Sequence, residues 1–232
     1  MVLKDILKSL PEVKSPDEKK VSFNVKLKWT LIILVSFFVM SNISLYGADP
    51  GFLEQFEFLA VIMGTSFGSI ITLGIGPIVM ASIILQLLVG SKILNIDTSS
   101  VEGKKFFQGL QKLMVFFFII FEAIVYVSMG GIKAAPGFMY LVIFQLILGG
   151  LAILFMDEVC QKWGFGSGVS LFIAAGVGWR LITASFGFLG PEGNFQASGK
   201  VIALIVSLMN ADSQGAMLAS AAIISTIVLF LF

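Results

Sequence analysis

Few side chains in this sequence could carry out a reaction. There is no histidine, which removes imidazole acid–base catalysis and histidine metal sites. The lone Cys160 allows neither an internal disulfide nor a cysteine cluster. The glycines of "GFGSGVSLFIAAG", 164–176, follow no strand and no lysine comes after them, so they do not fit a phosphate cradle. They suit close helix packing instead. "DEVCQKWG", 157–164, reads as a short solvated turn of mixed charge with no catalytic pairing. That leaves Glu122, the one ionisable residue deep inside an apolar span. A carboxylate at membrane depth is costly and is either functional or hydrogen-bonded at a helix contact. No Lys or Arg lies at that depth. Its partner must therefore be polar, backbone, water or outside these residues. No enzymatic activity, cofactor or metal is expected.

The elements that must position Glu122 are apolar helices. The hydrophobic fraction is 57% and the mean hydropathy +1.00, more apolar surface than a soluble core of this size needs, so the chain is an integral membrane protein. Residues 1–28 form a charged, amphipathic N-terminus with Leu3, Ile6, Leu7 and Leu10 on one side of a short surface helix. Spans are expected at 29–48, 113–132, 134–156 and 163–179. A second span covers 53–90. The Gly- and Pro-containing stretch 180–215 reads as a loop with an interfacial segment, and a sixth apolar segment starts at 216. No polar flank closes that segment at Phe232, so the sequence reads as part of a longer chain.

The second span is unusual. The uncharged run 58–91 is too long for one ordinary span and too short for two with a loop. "ITLGIGPIVM" interrupts it with Gly74, Gly76 and Pro77, poor residues for a helix interior. A proline kink in a packed helix is one explanation and a true break is the other. The flanking glycines and the excess length favour the break, and Pro77 suits the first turn of a new helix. Glu54, Glu57, Gly64, Ser66, Gly68 and Ser69 would be poor against lipid but tolerable in a segment tucked into a cavity. Ile75 and Val79, four apart, could share a face beside the break, and Val169 and Ile173 repeat that spacing. Counting a single crossing for 58–91, twelve of the 15 Lys and Arg fall on one side, which makes the N-terminus cytoplasmic.

Taken together, "ITLGIGPIV", "QLLVGS", "FQGLQKL", "MDEVCQKWGFGSG" and "LFIAAGV", with "PEVKSP" and "FNVKLKWT" before them, resemble the first half of the archaeal SecY family, the large subunit of protein-conducting channels. The resemblance runs from the first span to about residue 180. It implies an all-α membrane protein, a polytopic helix bundle forming the SecY-like N-terminal half with a broken second span, one of two pseudo-symmetric halves around a pore. It implies an apolar pore ring containing Ile75, Val79, Val169 and Ile173. It implies a plug made of Glu57, Phe58, Leu59, Ala60, Val61, Ile62, Met63, Gly64, Thr65, Ser66 and Phe67. It implies a lateral gate including Met80, Ile83 and Glu122, where Met80 departs from the small hydroxyl residue frequent in the family. The implied partners are SecE-like and Sec-beta-like small subunits, the ribosome and its nascent polypeptide, membrane lipid, and a C-terminal half of the same protein, with no direct sequence-specific nucleic acid. The implied location is the cell membrane, crossed several times. The implied activity is passage of unfolded secretory chains and sideways release of apolar helices into lipid.

Two other classes were weighed against a channel. A solute transporter with discontinuous helices expects polar ligands beside the break, whereas here Ile, Leu and Val flank it. An intramembrane protease needs a Ser–His dyad or an aspartyl pair inside the spans, and the chain has neither. An inert scaffold remains as a third alternative.

Overall fold

The computed structural model describes residues 10–16, 21–49, 68–186, 199–210 and 213–231. Among them the elements run α1 (Phe23–Ser41), β1 (Ala48–Asp49), α2 (Gly76–Gly90), α3 (Val101–Ser128), β2 (Lys133–Ala134), α4 (Met139–Trp163), α5 (Gly168–Phe186), α6 (Lys200–Met209) and α7 (Ser213–Leu231). The chain divides into one unit up to Ala175 and a second from Gly176. In the first unit, α4 packs against α1 and α3, and α3 packs against α2. In the second, α6 and α7 pack on each other.

Among the described residues four helices, α1, α3, α4 and α5, are long and apolar enough to cross a membrane. Their burial pattern suits lipid rather than water. On α1 only Ile33 and Phe37 are buried, while Leu31, Ile32, Val35 and Val39 face outward. A helix that is apolar all round while burying one narrow stripe is one that lipid surrounds. α2 is shorter, 15 residues. At 1.5 Å per residue that is roughly 22 Å, short of the ~30 Å hydrocarbon core.

An interrupted stretch precedes α2. Residues 68–75 form consecutive turns instead of helix. Thr72, Gly74 and Gly76 donate their N–H groups to the carbonyls of Ser69, Ile71 and Leu73, three residues back. The Thr72 hydroxyl also bonds Ser69 O at 2.6 Å. Ile71, Thr72 and Leu73 are fully buried. This irregular backbone satisfies itself and is wrapped in protein, the condition under which a membrane protein tolerates it. Gly74 takes φ +54°, a left-handed value natural only for glycine, and Pro77 occupies the first turn of α2. α4 closes over the stretch through Gly149, where any Cβ would collide with the carbonyl of Ile70.

A clasp holds the ends of this region. β1 and β2 pair antiparallel, Ala48 with Ala134 and Asp49 with Lys133. Ser44 bridges Ser69, Leu45 N–H bonds Gly68 O at 2.8 Å, and Ile70 N–H bonds Ile43 O at 2.9 Å. Gln145 on α4 reads Tyr46 like a strand partner: its oxygen accepts Tyr46 N–H and its amide donates to Tyr46 O, both at 3.0 Å.

Helix boundaries shift from the sequence-based spans for local reasons. The segment expected at 113–132 lies within a helix that starts at Val101, where Ser100 caps Gly103 N–H at 3.0 Å, and ends at Ser128, before Gly130 at φ +78°. The segment expected at 134–156 becomes helical only at Met139. Lys133 and Ala134 are paired in β2, and Pro136 disfavours helix at the residue before it. It then continues through "DEVCQKW" to Trp163, so the expected solvated turn is helix. The segment expected from 163 starts at Gly168, past Gly166 at φ +142°.

Candidate functional site

The break delivers Ile75 to the last turn before α2, where it is 3% exposed. Val79 lies one helical turn further on and is half-buried. On α5, Val169 and Ile173 occupy the first two turns and are also half-buried. All four belong to or pack against the same apolar cluster, which links the interrupted stretch to α1, α3, α4 and α5. Between Val169 and Ile173 sits Phe172, fully buried and stacked on Phe37 of α1, with ring centroids 4.9 Å apart and planes 15° from parallel. The early turns of α5 are thereby fixed to the core.

Met80 and Ile83, 50% and 49% exposed, look outward from α2. Behind them Gln111 of α3 donates to the Ser82 hydroxyl at 2.7 Å, and Ser82 in turn donates to Ile78 O. Glu122 is half-buried on α3, one turn from Tyr126 and beside the outward-facing Phe121 and Ile124. The plug candidates Glu57 through Phe67 lie outside the described residues. Among the described residues no cluster of acidic, cysteine or histidine side chains could hold a metal ion.

The charged groups that sequence reasoning passed over sit at the end of α4. Asp157 is 4% exposed; one carboxylate oxygen accepts Val169 N–H at 3.1 Å and the other accepts the Gln161 amide at 2.7 Å. Glu158 pairs with Lys112 of α3 at 2.8 Å and with Lys162 at 3.0 Å, and accepts Val13 N–H at 3.1 Å. Lys162 reaches Glu12 and the carbonyl of Val13, each at 2.5 Å, and the Trp163 indole donates to Lys14 O at 2.8 Å. The N-terminal segment is therefore strapped across α4. One signal was available: Glu158 and Lys162 stand four apart on a helix face. The Asp157 contact to the start of α5 had no such periodic signature.

The SecY family model matches residues 69–232, and a model described as the plug domain of Sec61p matches residues 35–68. The protein translocase subunit SecY of Methanothermobacter thermautotrophicus is 50% identical over 206 residues, covering 88% of this chain and 45% of the relative. A solved structure of a protein conducting channel superposes with a TM-score of 0.80 at 39% identity, over 99% of this chain and 50% of that one. Sec61 in the canine ribosome-channel complex from the endoplasmic reticulum gives the same TM-score and identity over 99% of this chain and 51% of its own. The chain spans about half the length of the curated relatives it matches. These relatives are translocases and channels, so the solute-transporter alternative finds no support among them. A broken, internally hydrogen-bonded second span, a bundle of apolar helices around it and half the residues of an archaeal relative lead to one conclusion: the chain belongs to the SecY family.

Proposed function

We infer that this chain supplies the first half of a protein-conducting channel, a multi-pass membrane protein that passes unfolded polypeptides across the cell membrane and releases apolar helices sideways. The observation that carries this reading is the buried break at 68–75, which puts branched apolar side chains, and no reactive group, at the point where a span stops short of crossing. In the complete protein, Ile75, Val79, Val169 and Ile173 form one side of an apolar constriction, closed from the other side by the second half. A hydrophobic constriction of this kind resists ion flow by dewetting, yet offers a passing chain no hydrogen-bonding partner to stick to. Residues 57–67 are assigned the role of the plug. Met80 and Ile83 on α2 and Glu122 on α3 contribute to the seam through which a helix leaves.

The N-terminus is cytoplasmic in this reading, on the strength of the Lys and Arg asymmetry. A translating ribosome supplies the chain and the drive, as the relative described within a ribosome-channel complex suggests, and small SecE-like and Sec-beta-like subunits complete the assembly. Crosslinking tests the assignment. Val79→Cys in a full-length channel carrying Cys160→Ser is expected to crosslink to a nascent chain stalled during translocation. Crosslinks at Ile84→Cys or Leu88→Cys with none at position 79 would overturn the assignment of this helix face to the pore.

A further inference from the structure

Asp157 stands eleven residues before α5 in sequence and belongs to a different helix, yet it holds the first turn of α5. Its Oδ1 accepts Val169 N–H at 3.1 Å. This is one of the orphan amides that every helix leaves at its N-terminus. Residues from within the same turn usually cap them. Ser167 does so here for Ser170, its hydroxyl taking that N–H at 3.4 Å, but the Val169 N–H is capped from the neighbouring helix, which ties the start of α5 to the end of α4. Oδ2 is held by the Gln161 amide at 2.7 Å, which fixes the carboxylate's orientation. The approach is very close: a Cβ at Gly168 would lie 2.7 Å from Asp157 Cα and 2.9 Å from its Oδ1. Only glycine fits there. Asp157 is 4% exposed, so bulk water cannot replace it as acceptor.

The capped residue is Val169 itself, and Ile173 follows one turn later on the same face. Phe172, stacked on Phe37, anchors the adjacent stripe of that helix. The stack fixes how α5 rotates and the cap fixes where it begins. We propose that Asp157 is a positioning residue for the constriction: by capping α5 from α4 it sets the axial height at which Val169 and Ile173 meet the opposing ring residues. This rests on the reading of those two side chains as part of the ring.

The test compares Asp157→Ala, Asp157→Asn and Asp157→Glu in the full-length channel, in two measurements. The first is amide hydrogen exchange at Val169, whose N–H the Asp157 carboxylate accepts. Asp157→Ala is expected to speed it by about tenfold, the loss of roughly one hydrogen bond. Asp157→Asn is expected to keep protection, because its carbonyl oxygen still accepts while Gln161 turns to present its own. The second is resting ion conductance in planar bilayers. Asp157→Ala is expected to raise it, Asp157→Asn to leave it near wild type, and Asp157→Glu, which keeps the charge but moves the acceptor by one methylene, to fall between. Should the alanine variant fail to fold, the Asn and Glu variants still separate geometry from charge. Unchanged exchange in Asp157→Ala overturns the proposal, as does leakage in Asp157→Asn equal to that of Ala. Faster exchange without leakage also overturns it, and Val169→Gly in the same bilayers then locates the fault. If Val169→Gly leaks, the ring reading stands and Asp157 merely stabilises a helix end. If it does not, the ring reading has failed.

Discussion

Replacing Glu158 with alanine removes one acceptor from three donors at once. The three differ in what they lose. Lys162 keeps Glu12 and the Val13 carbonyl, so its share of the loss is small. The Val13 N–H loses its acceptor, worth about 1 kcal/mol for a backbone hydrogen bond. Lys112, with its side chain 15% exposed, loses its charge-assisted partner at 2.8 Å, worth about 2 kcal/mol. Its long stem can carry the ammonium toward water and recover part of that. A destabilisation of about 2–3 kcal/mol is therefore expected, concentrated where the N-terminal segment crosses α4. Glu158→Gln keeps an acceptor for Val13 and should cost about half as much. The assay is thermal unfolding of the full-length protein in detergent, with hydrogen exchange read at residues 12–14. Exchange there should rise sharply in Glu158→Ala, while that at Val169, served by Asp157, stays put. Unchanged exchange at Val13 in the alanine variant would refute the reasoning, since the strap would then be held by Trp163 and Lys162 alone.

Gly149→Ala should destabilise the first unit by about 1–3 kcal/mol, because the added methyl meets the immovable carbonyl of Ile70. Gly150→Ala, whose nearest neighbour is the Ile119 side chain at 2.8 Å, should cost less, and the order of the two melting temperatures checks this. Glu122→Leu should lower the number of leucines a model segment needs in order to leave sideways into lipid, by about one or two Leu equivalents on the insertion scale, because an apolar seam no longer has to desolvate a carboxylate. Graded Leu/Ala segments scored for integration test it, and a common threshold for Glu122, Glu122→Leu and Glu122→Gln would make the residue a packing element only.

The membrane class and the interrupted second span were legible because both rest on composition and on three residues with strong backbone preferences, Gly74, Gly76 and Pro77. What held the interruption together was not legible. The chain of three-residue-back hydrogen bonds through Ser69, Ile71 and Leu73 leaves no mark on side-chain periodicity, since backbone groups make it. The helices and the apolar runs do not coincide at α3 and α4: at the ends joined by Lys112 and Glu158 the helix outlasts the run, and at the other ends it stops short of it. Hydropathy marks where lipid is, and the helix continues into water wherever charges find partners, as Glu158 does with Lys112 and Lys162. Asp157 was misjudged because a carboxylate next to another carboxylate and a lysine looks solvated. Its true environment depends on Gly168, eleven residues further along the chain around a turn, and only the tertiary approach of α5 buries it.

The clasp between the stretch after α1 and the start of α4 also imposes a timetable. Tyr46 and Gln145 are separated by 99 residues. At ribosomal speeds of about 5–20 residues per second, roughly 5 to 20 s pass between the synthesis of the two partners. During that interval α2 and α3 must be made. Ile43, Leu45, Gly68 and Ile70 can pair with each other early, but β1 has no ladder until Lys133 and Ala134 emerge on its side of the membrane. The first helical hairpin is thus born with its outer edge unpaired, and the arrival of α4 is the event that latches it.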